Sequence, residues 1–150
     1  MDFALKDVEG KLMWLSDLLG KVVLLNFEAT WCPSCRARAP KLEQLHQRLK
    51  GQDFVLLSVH LQERTSTVKA FRQEHGMSFP AVIDADGKVS ERYRVQFIPS
   101  TSLIDRAGMM VGRTLGANAW DSDEAKELKL SLINDPPREA TRPGAGGKQS

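Results

Sequence analysis

Hydrophobic and polar positions in the first half of the chain alternate between strand and helix periods. Residues 22–27 form an almost continuous apolar run rich in β-formers, which is typical of a central strand covered on both faces. From 32 to 50 the apolar residues recur at helical spacing, and Pro40 inside this segment predicts a kink. Residues 54–59 then predict a second buried strand.

Shorter elements surround these. Ser16 is a candidate N-cap for a short helical turn that ends at Gly20. The remaining predictions are a hairpin over 3–13, a helix from Ser66 to Gly76, a strand over 79–83, a short helix over 89–95, a hairpin made by 101–104 and 109–115, and a last helix from Asp121 or Ser122.

The order of these elements predicts an α/β fold. Strands that alternate with helices imply a layered sheet, and the late hairpin makes that sheet mixed. We expect one domain over 1–133. From Asn134 onward Pro, Gly and charged residues dominate, which predicts a disordered tail over 134–150.

Composition narrows the function classes. The chain has 150 residues, 41% of them hydrophobic and 27% charged, which suits one globular domain. A net charge of +2 with mixed signs along the chain gives no case for nucleic acid. No apolar run approaches the length of a membrane span. The N-terminus carries no export signal, so we expect either a cytoplasmic protein or one whose signal or anchor precedes this numbering.

The two cysteines carry the candidate chemistry. Cys32 and Cys35 lie where the predicted central strand gives way to a helix. A helix N-terminus stabilises an anion, and the thiolate is the form of cysteine that attacks disulfides. With two residues between them, Cys35 can attack a mixed disulfide at Cys32 and release the partner. Pro33 suits the first helical turn because its missing N–H needs no partner there.

Two other uses of the cysteine pair fit less well. A zinc site needs two more ligands, and the chain has no second cysteine pair and three isolated histidines: His46, His60 and His75. A structural disulfide in so tight a loop would constrain little of the unfolded chain. We therefore expect no metal and no other cofactor.

The segment 22–40, with Trp31-Cys32-Pro33-Ser34-Cys35 at its centre, resembles the active-site segment of the thioredoxin superfamily. The closer resemblance, over roughly 2–133, is to the TlpA/ResA-like thiol–disulfide oxidoreductases, with 3–13 as the N-terminal hairpin and 65–83 as the helix–strand insertion of that group. It implies a thioredoxin-like fold with a mixed central sheet flanked by helices.

The resemblance also implies roles for residues outside the motif. Pro99 is expected to be a cis-proline that faces the sulfurs, with a trans proline opening a strand as the alternative. The backbone of Ile98 is expected to pair with an extended substrate segment. Trp31 is expected to shield the sulfurs in part.

Departures from the family pattern affect the tuning of the site. Asn26 stands where thioredoxin has a buried Asp, as is common in the TlpA-like group. Glu28 stands where an aromatic residue is usual. It shares a strand face with Asn26, so it is either a partial replacement for that acid or, as we favour, a solvated carboxylate at the strand end.

One cation on the predicted helix replaces an acid of the family pattern, and a second cation lies close to it. Arg38 stands where ResA-like members commonly carry Glu, and Arg36 lies nearby. Both could favour a thiolate or form an ordinary solvated helix face, and the exchange weakens any transfer of the family's apocytochrome c substrate. Phe97 replaces a usual glycine, as an apolar rim for a partner protein or as a core residue.

The predicted function is thiol–disulfide exchange with protein substrates, as a reductant, with Cys32 as the nucleophile and Cys35 as the resolving cysteine. The alternatives are a thiol peroxidase or a redox-inactive metal-binding or chaperone module. We expect a monomer, no nucleic acid, and recycling by a redox partner such as a membrane electron carrier. The resemblance favours a periplasmic or other extracytoplasmic location.

Overall fold

The computed structural model describes residues 2–115 and residue 133. Its elements in chain order are β1 (Ala4–Asp7), β2 (Leu12–Trp14), a 3₁₀ helix (Leu15–Leu18), β3 (Val22–Glu28), α1 (Pro33–Leu49), β4 (Phe54–Leu61), α2 (Thr65–Glu74), β5 (Ala81–Asp84), α3 (Lys88–Arg92), β6 (Ser100–Ile104) and β7 (Met110–Leu115).

The strands form one mixed seven-stranded sheet in the order β2-β1-β5-β4-β3-β6-β7. The three central strands β3, β4 and β5 run parallel, and the outer pairings are antiparallel. Parallel strands need a crossover, and here α1 and α2 provide it. The predicted fold class, a thioredoxin-like α/β fold with a mixed sheet, is confirmed.

Strand β3 is buried along its whole length because both faces of the sheet are covered. Val22 and Leu24 pack into a core cluster with residues of α1, whereas Val23, Leu25 and Phe27 pack into a second cluster on the opposite face. Since side chains alternate along a strand, Asn26 and Glu28 continue the face that α1 covers. The sheet thus brings two polar side chains beneath the helix that carries the cysteines.

Several predicted boundaries move by a few residues. The 3₁₀ helix begins at Leu15, one residue before the predicted cap Ser16, because the Asp17 carboxylate accepts a hydrogen bond from the Trp14 N–H at 3.1 Å. Helix α2 begins at Thr65 with Arg64 as its N-cap. Strand β5 begins at Ala81 rather than at Phe79, and α3 ends at Arg92 rather than at Val95.

Ile133 is helical and buried in the core cluster on the α1 face. The predicted start of the last helix at Asp121 or Ser122 and the predicted tail over 134–150 lie outside the described residues. Within the part of the chain that the structure describes, no helix is both long enough and apolar enough to cross a membrane.

Candidate active site

Cys32 occupies the N-cap position of α1, and Pro33 is the first residue of the helix. The Sγ atom of Cys32 accepts a hydrogen bond from the backbone N–H of Cys35 at 3.2 Å. Both cysteines are buried free thiols. The N-terminal N–H groups of a helix have no partner within the helix and carry partial positive charge. The site therefore places one sulfur where a thiolate is stabilised.

The second sulfur lies in a different environment. Burial raises the pKa of Cys35 well above its ordinary value, and the hydrogen bond with Cys32 and the charges of Cys32 and Glu28 raise it further. A hydrogen bond with the backbone of Ala29 partly offsets this. Cys35 thus stays protonated at neutral pH. The two sulfurs are chemically distinct, as a nucleophile and a resolving thiol need to be.

Pro99 follows a cis peptide bond, as the resemblance implied. The carbonyl oxygen of Ile98 accepts a hydrogen bond from Cys32 Sγ over 3.9 Å. Ile98 also packs against a small cluster made by Ala29, Cys32 and Cys35. The turn that precedes β6 therefore forms one wall of the cysteine site.

Two aromatic side chains next to this contact are exposed. Trp31 is 65% exposed and Phe97 is 64% exposed. That Trp31 shields the sulfurs in part stays a prediction, and Cys32 itself packs with Ala29, Cys35 and Ile98. For Phe97 the core alternative is wrong. Ser34 and Pro33 are also exposed at the start of α1.

The two arginines of α1 differ in burial. Arg36 is exposed, as a solvated helix face requires, whereas Arg38 is only 3% exposed, so the solvated alternative is wrong for Arg38. Its Nη1 donates a hydrogen bond to Asn26 Oδ1 at 2.7 Å, and Asn26 Nδ2 donates to Ser58 Oγ at 3.3 Å. A buried cation thus spans α1 and β3 one helical turn after Cys35.

Glu28 is buried, so the favoured prediction of a solvated carboxylate is wrong. It is 1% exposed, and its Oε2 lies 3.6 Å from Nε2 of His60, which is fully buried. The two residues are paired in register across the parallel strands β3 and β4, so their side chains project from the same face. The register of β3 against β4 places Glu28 next to His60 and so creates this contact.

Sequence reasoning missed His60 and Glu63 as site residues. His60 Nδ1 lies 3.0 Å from Glu63 Oε1. Glu63 also accepts hydrogen bonds from the Thr30 N–H at 2.9 Å and from the Thr30 hydroxyl. The available signal was a histidine at the end of a buried strand with a carboxylate three residues later. Glu63 ties the end of β4 to the loop that leads into Cys32.

The pKa of Glu63 reflects this network. Burial raises it, but hydrogen bonds from His60 and Thr30 and the charge of His60 lower it more, so the pKa lies below its ordinary value. Glu63 is therefore ionised at neutral pH. Among the residues that the structure describes, no group of three or more His, Cys, Asp or Glu could hold a metal ion.

A dithiol at a helix N-terminus, beside a cis-proline on a mixed sheet, defines the class of thioredoxin-like redox proteins. The family model described as "AhpC/TSA family" matches residues 1–113. The chain therefore belongs to the AhpC/TSA family.

Curated relatives carry a common name. The chain is 37% identical over 110 residues to the thiol-disulfide oxidoreductase ResA of Bacillus subtilis (strain 168), which covers 73% of this chain and 62% of that protein. It is 35% identical over 130 residues to the ResA of Bacillus thuringiensis (strain Al Hakam), covering 87% and 75%. The chain thus spans less than two thirds of the length of the first of these relatives.

Solved structures of thiol:disulfide interchange proteins are similar to this fold. A candidate thiol:disulfide interchange protein DsbE from Chlorobium tepidum superimposes with a TM-score of 0.82 and 30% identity, over 89% of this chain and 94% of that chain. A thioredoxin family thiol:disulfide interchange protein from Chlorobium tepidum TLS gives a TM-score of 0.75 and 25% identity, over 87% and 93%. The predicted resemblance to the ResA-like group and the predicted enzyme class, thiol–disulfide oxidoreductase, are confirmed.

Proposed function

We propose that this chain reduces disulfide bonds of other proteins, with Cys32 as the nucleophile and Cys35 as the resolving thiol. The observation that carries the proposal is the position of Cys32 Sγ at the N-cap of α1, 3.2 Å from the Cys35 N–H. That position favours a thiolate at Cys32, while burial keeps Cys35 protonated until it is needed.

The exchange proceeds in two balanced steps. The Cys32 thiolate attacks one sulfur of a substrate disulfide, so a mixed disulfide forms and the other substrate sulfur leaves as a thiolate. Cys35 then loses its proton and attacks Cys32 Sγ, which releases the second substrate sulfur as a thiolate. Two electrons have moved to the substrate, and the protein holds the Cys32–Cys35 disulfide.

The charges at the site act on the reduced form of the cysteine pair. Groups that stabilise the thiolate of the reduced protein make a dithiol couple more oxidising. Here the buried Glu28 carboxylate acts against a thiolate at Cys35, because its negative charge raises the pKa of Cys35. Cys35 is therefore a neutral thiol in the reduced protein, so this charge does not set the direction of exchange. The proposed direction, reduction of substrate disulfides, is decided by the measured reduction potential of the pair.

The substrates are extended segments of other proteins. The exposed side chains of Trp31 and Phe97 each belong to a residue next in sequence to the Cys32–Ile98 contact, so they offer exposed apolar area to a partner protein. The backbone next to Pro99 offers groups for strand addition. Pro33 and Ser34 form the exposed surface that the partner meets first.

The protein works as a monomer outside the cytoplasm and is recycled by a second redox protein, such as a membrane electron carrier. This placement rests on the resemblance to the TlpA/ResA-like group. Fractionation of the producing cells tests the location, and gel filtration tests the monomer.

The test of the function is the reduction potential of the Cys32–Cys35 pair, by equilibration with dithiothreitol or glutathione and trapping of free thiols. A potential near that of thioredoxin, about −270 mV, supports a reductant, and one near that of DsbA, about −120 mV, contradicts it. A chain without a reversible couple contradicts the exchange function altogether. Peroxide consumption and copper titration of the reduced protein then distinguish the thiol peroxidase from the metal-binding module.

A further inference from the structure

Two buried polar atoms near the cysteines face each other without a hydrogen bond. Glu28 Oε2 and His60 Nε2 lie 3.6 Å apart, and neither has a hydrogen-bond partner among the described residues. Buried polar groups are normally paired, because burying one without a hydrogen bond leaves its lost hydration uncompensated. The contact therefore calls for a chemical explanation.

The tautomer of His60 follows from its other nitrogen. Nδ1 lies 3.0 Å from Oε1 of Glu63, which is ionised at neutral pH and can only accept, so Nδ1 carries a proton. In a neutral ring, Nε2 is then an acceptor. It faces an oxygen of Glu28 that is also an acceptor when ionised. One additional proton, bound to either His60 Nε2 or Glu28 Oε2, would allow a hydrogen bond between the two atoms.

This pair lies on the side of the sheet that carries Cys35. Glu28 follows Asn26 on the face of β3 that α1 covers, and its charge raises the pKa of Cys35. The same charge reaches Arg72 of α2, whose pKa burial lowers and Glu28 raises in part. Glu28 is therefore in electrostatic contact with both the resolving thiol and a buried cation.

Other charged groups lie on the elements next to the pair. From α1, Arg38 donates to Asn26, the neighbour of Glu28 on the same strand face. From the segment after β4, Glu63 accepts from Thr30 and holds the imidazole ring. The charged groups near the pair are thus Arg38, which contacts Asn26, Arg72, which senses the charge of Glu28, and Glu63, which contacts His60 directly.

We propose that Glu28 and His60 form a buried acid–base pair that takes up the proton of the Cys35 thiol during disulfide exchange and returns it when the protein is reduced again. This inference rests on the proposed function. In the resolving step the Cys35 S–H bond breaks and the proton moves to the Glu28–His60 pair. The Cys35 sulfur then bonds to Cys32 Sγ, and the substrate thiolate leaves with the electron pair of the broken mixed disulfide.

Glu63 is a positioning residue in this scheme. It fixes the His60 tautomer that turns an acceptor toward Glu28, and it ties this ring to Thr30, two residues before Cys32. The disulfide form of the protein then holds one more proton on the pair than the dithiol form. When the disulfide form is reduced, the protein therefore takes up one proton fewer from solvent, in the pH range where the pair of the disulfide form carries this proton.

The test measures the resolving step by stopped flow. Reduced protein is mixed with excess dithiobis(nitrobenzoate), and the coloured thiol is released first by attack of Cys32 and then by attack of Cys35. The second phase is independent of reagent concentration and is absent in Cys35→Ser, which assigns it. Glu28→Gln is expected to slow the second phase about tenfold to a hundredfold near neutral pH. The rate should recover with rising pH, because hydroxide replaces the missing acceptor.

His60→Gln is a second variant with the same expected direction. The matched control is Asp105→Asn, which changes another buried carboxylate that accepts hydrogen bonds from the Ala107 and Met109 N–H groups at 3.0 and 2.9 Å. An asparagine oxygen can accept the same bonds, so the control should keep the wild-type pH profile. If the control shifts the profile as Glu28→Gln does, the proposal is overturned.

The outcomes separate the pair from the underlying function. A wild-type protein without a second phase contradicts the proposed exchange reaction itself. A wild-type protein with a second phase, together with a Glu28→Gln profile that runs parallel to it, overturns the acid–base pair alone. If Glu28→Gln does not fold, the His60→Gln profile decides in the same way.

The reduction potential, measured at equilibrium, tests the proposal independently of the kinetics. The difference in reduction potential between the wild type and Glu28→Gln or His60→Gln is expected to change with pH, since only the wild type exchanges a proton with the pair. A difference that stays constant with pH indicates a purely structural role and overturns the proposal.

Discussion

Arg38 Nη1 donates a hydrogen bond to Asn26 Oδ1 at 2.7 Å, and both side chains are buried. The contact joins the helix that carries the cysteines to the central strand beneath it. A buried guanidinium needs such partners, because an unpaired buried charge is far more costly than an exposed one. The Arg38–Asn26 contact therefore holds α1 against β3, and it places a buried positive charge near the cysteines.

Arg38→Met is expected to lower the free energy of unfolding by about 1–3 kcal/mol, since it leaves the Asn26 oxygen without this donor. Urea unfolding followed by circular dichroism measures the change. Arg36→Met is the matched control, because Arg36 is exposed on the same helix and should change stability by less than about 0.5 kcal/mol. Equal losses in the two variants would contradict a specific role of the buried contact.

Cys35 should react slowly with alkylating reagents at neutral pH. Burial raises the pKa of its thiol, and the thiolate is the reactive form. In Cys32→Ser, the rate of carbamidomethylation of Cys35 is expected to keep rising with pH into the alkaline range. Cys32 in Cys35→Ser should react faster at pH 7. Mass spectrometry of quenched samples gives both rates, and a faster Cys35 would contradict the assigned roles.

Glu63→Gln is expected to lower stability at neutral pH by about 2 kcal/mol, because charge-assisted hydrogen bonds from His60 and Thr30 are weakened. The folded-state pKa of Glu63 lies below the ordinary value of 4.5. Its contribution is therefore fully present above about pH 4.5 and is lost as the pH falls through the lower folded value.

Urea unfolding of the wild type and Glu63→Gln at pH 7 and at pH 3 checks this dependence. The difference in the free energy of unfolding between the wild type and Glu63→Gln should be smaller at pH 3 than at pH 7. Glu74→Gln is the control, since Glu74 is 73% exposed on α2. A gap of the same size at both pH values would contradict the ionised state of Glu63.

Trp31→Ala and Phe97→Ala are each expected to raise KM for a disulfide-bonded protein substrate about five- to tenfold, the loss of a moderate contact in a protein interface. The rate with a small disulfide reagent should change little, because such a reagent contacts the sulfurs alone. Met110→Ala is the control: Met110 is 44% exposed and pairs with Ile104, at the end of β6 away from the cysteines. Equal effects on both kinds of substrate would contradict a docking role.

The local elements of the site were predictable because their signals are local. An apolar run, a change to helical spacing and a proline after Cys32 predict a strand followed by a helix, and the structure has β3 over Val22–Glu28 and α1 over Pro33–Leu49. Element ends were less predictable. The helix start at Thr65 depends on the conformation of Arg64, which has no side-chain cap.

The surroundings of the cysteines were not predictable in the same way. Glu28 at the end of a strand looked solvated, yet it meets His60, 32 positions further along the chain, because β3 and β4 pair in parallel register. Arg38 looked like part of a solvated helix face, yet it reaches Asn26 beneath the helix. The exposure of Trp31, which the resemblance implied to be a partial shield of the sulfurs, was likewise not readable from the sequence.

The chain alone determined where the strand and helix meet, which two sulfurs we propose to react and that the first of them sits at a helix N-terminus, since each depends on residues within one or two turns. Tertiary structure decided which charges surround those sulfurs. Burial and strand register depend on contacts between distant segments, and one sheet pairing converts an apparently ordinary glutamate and histidine into a buried pair beneath Cys35.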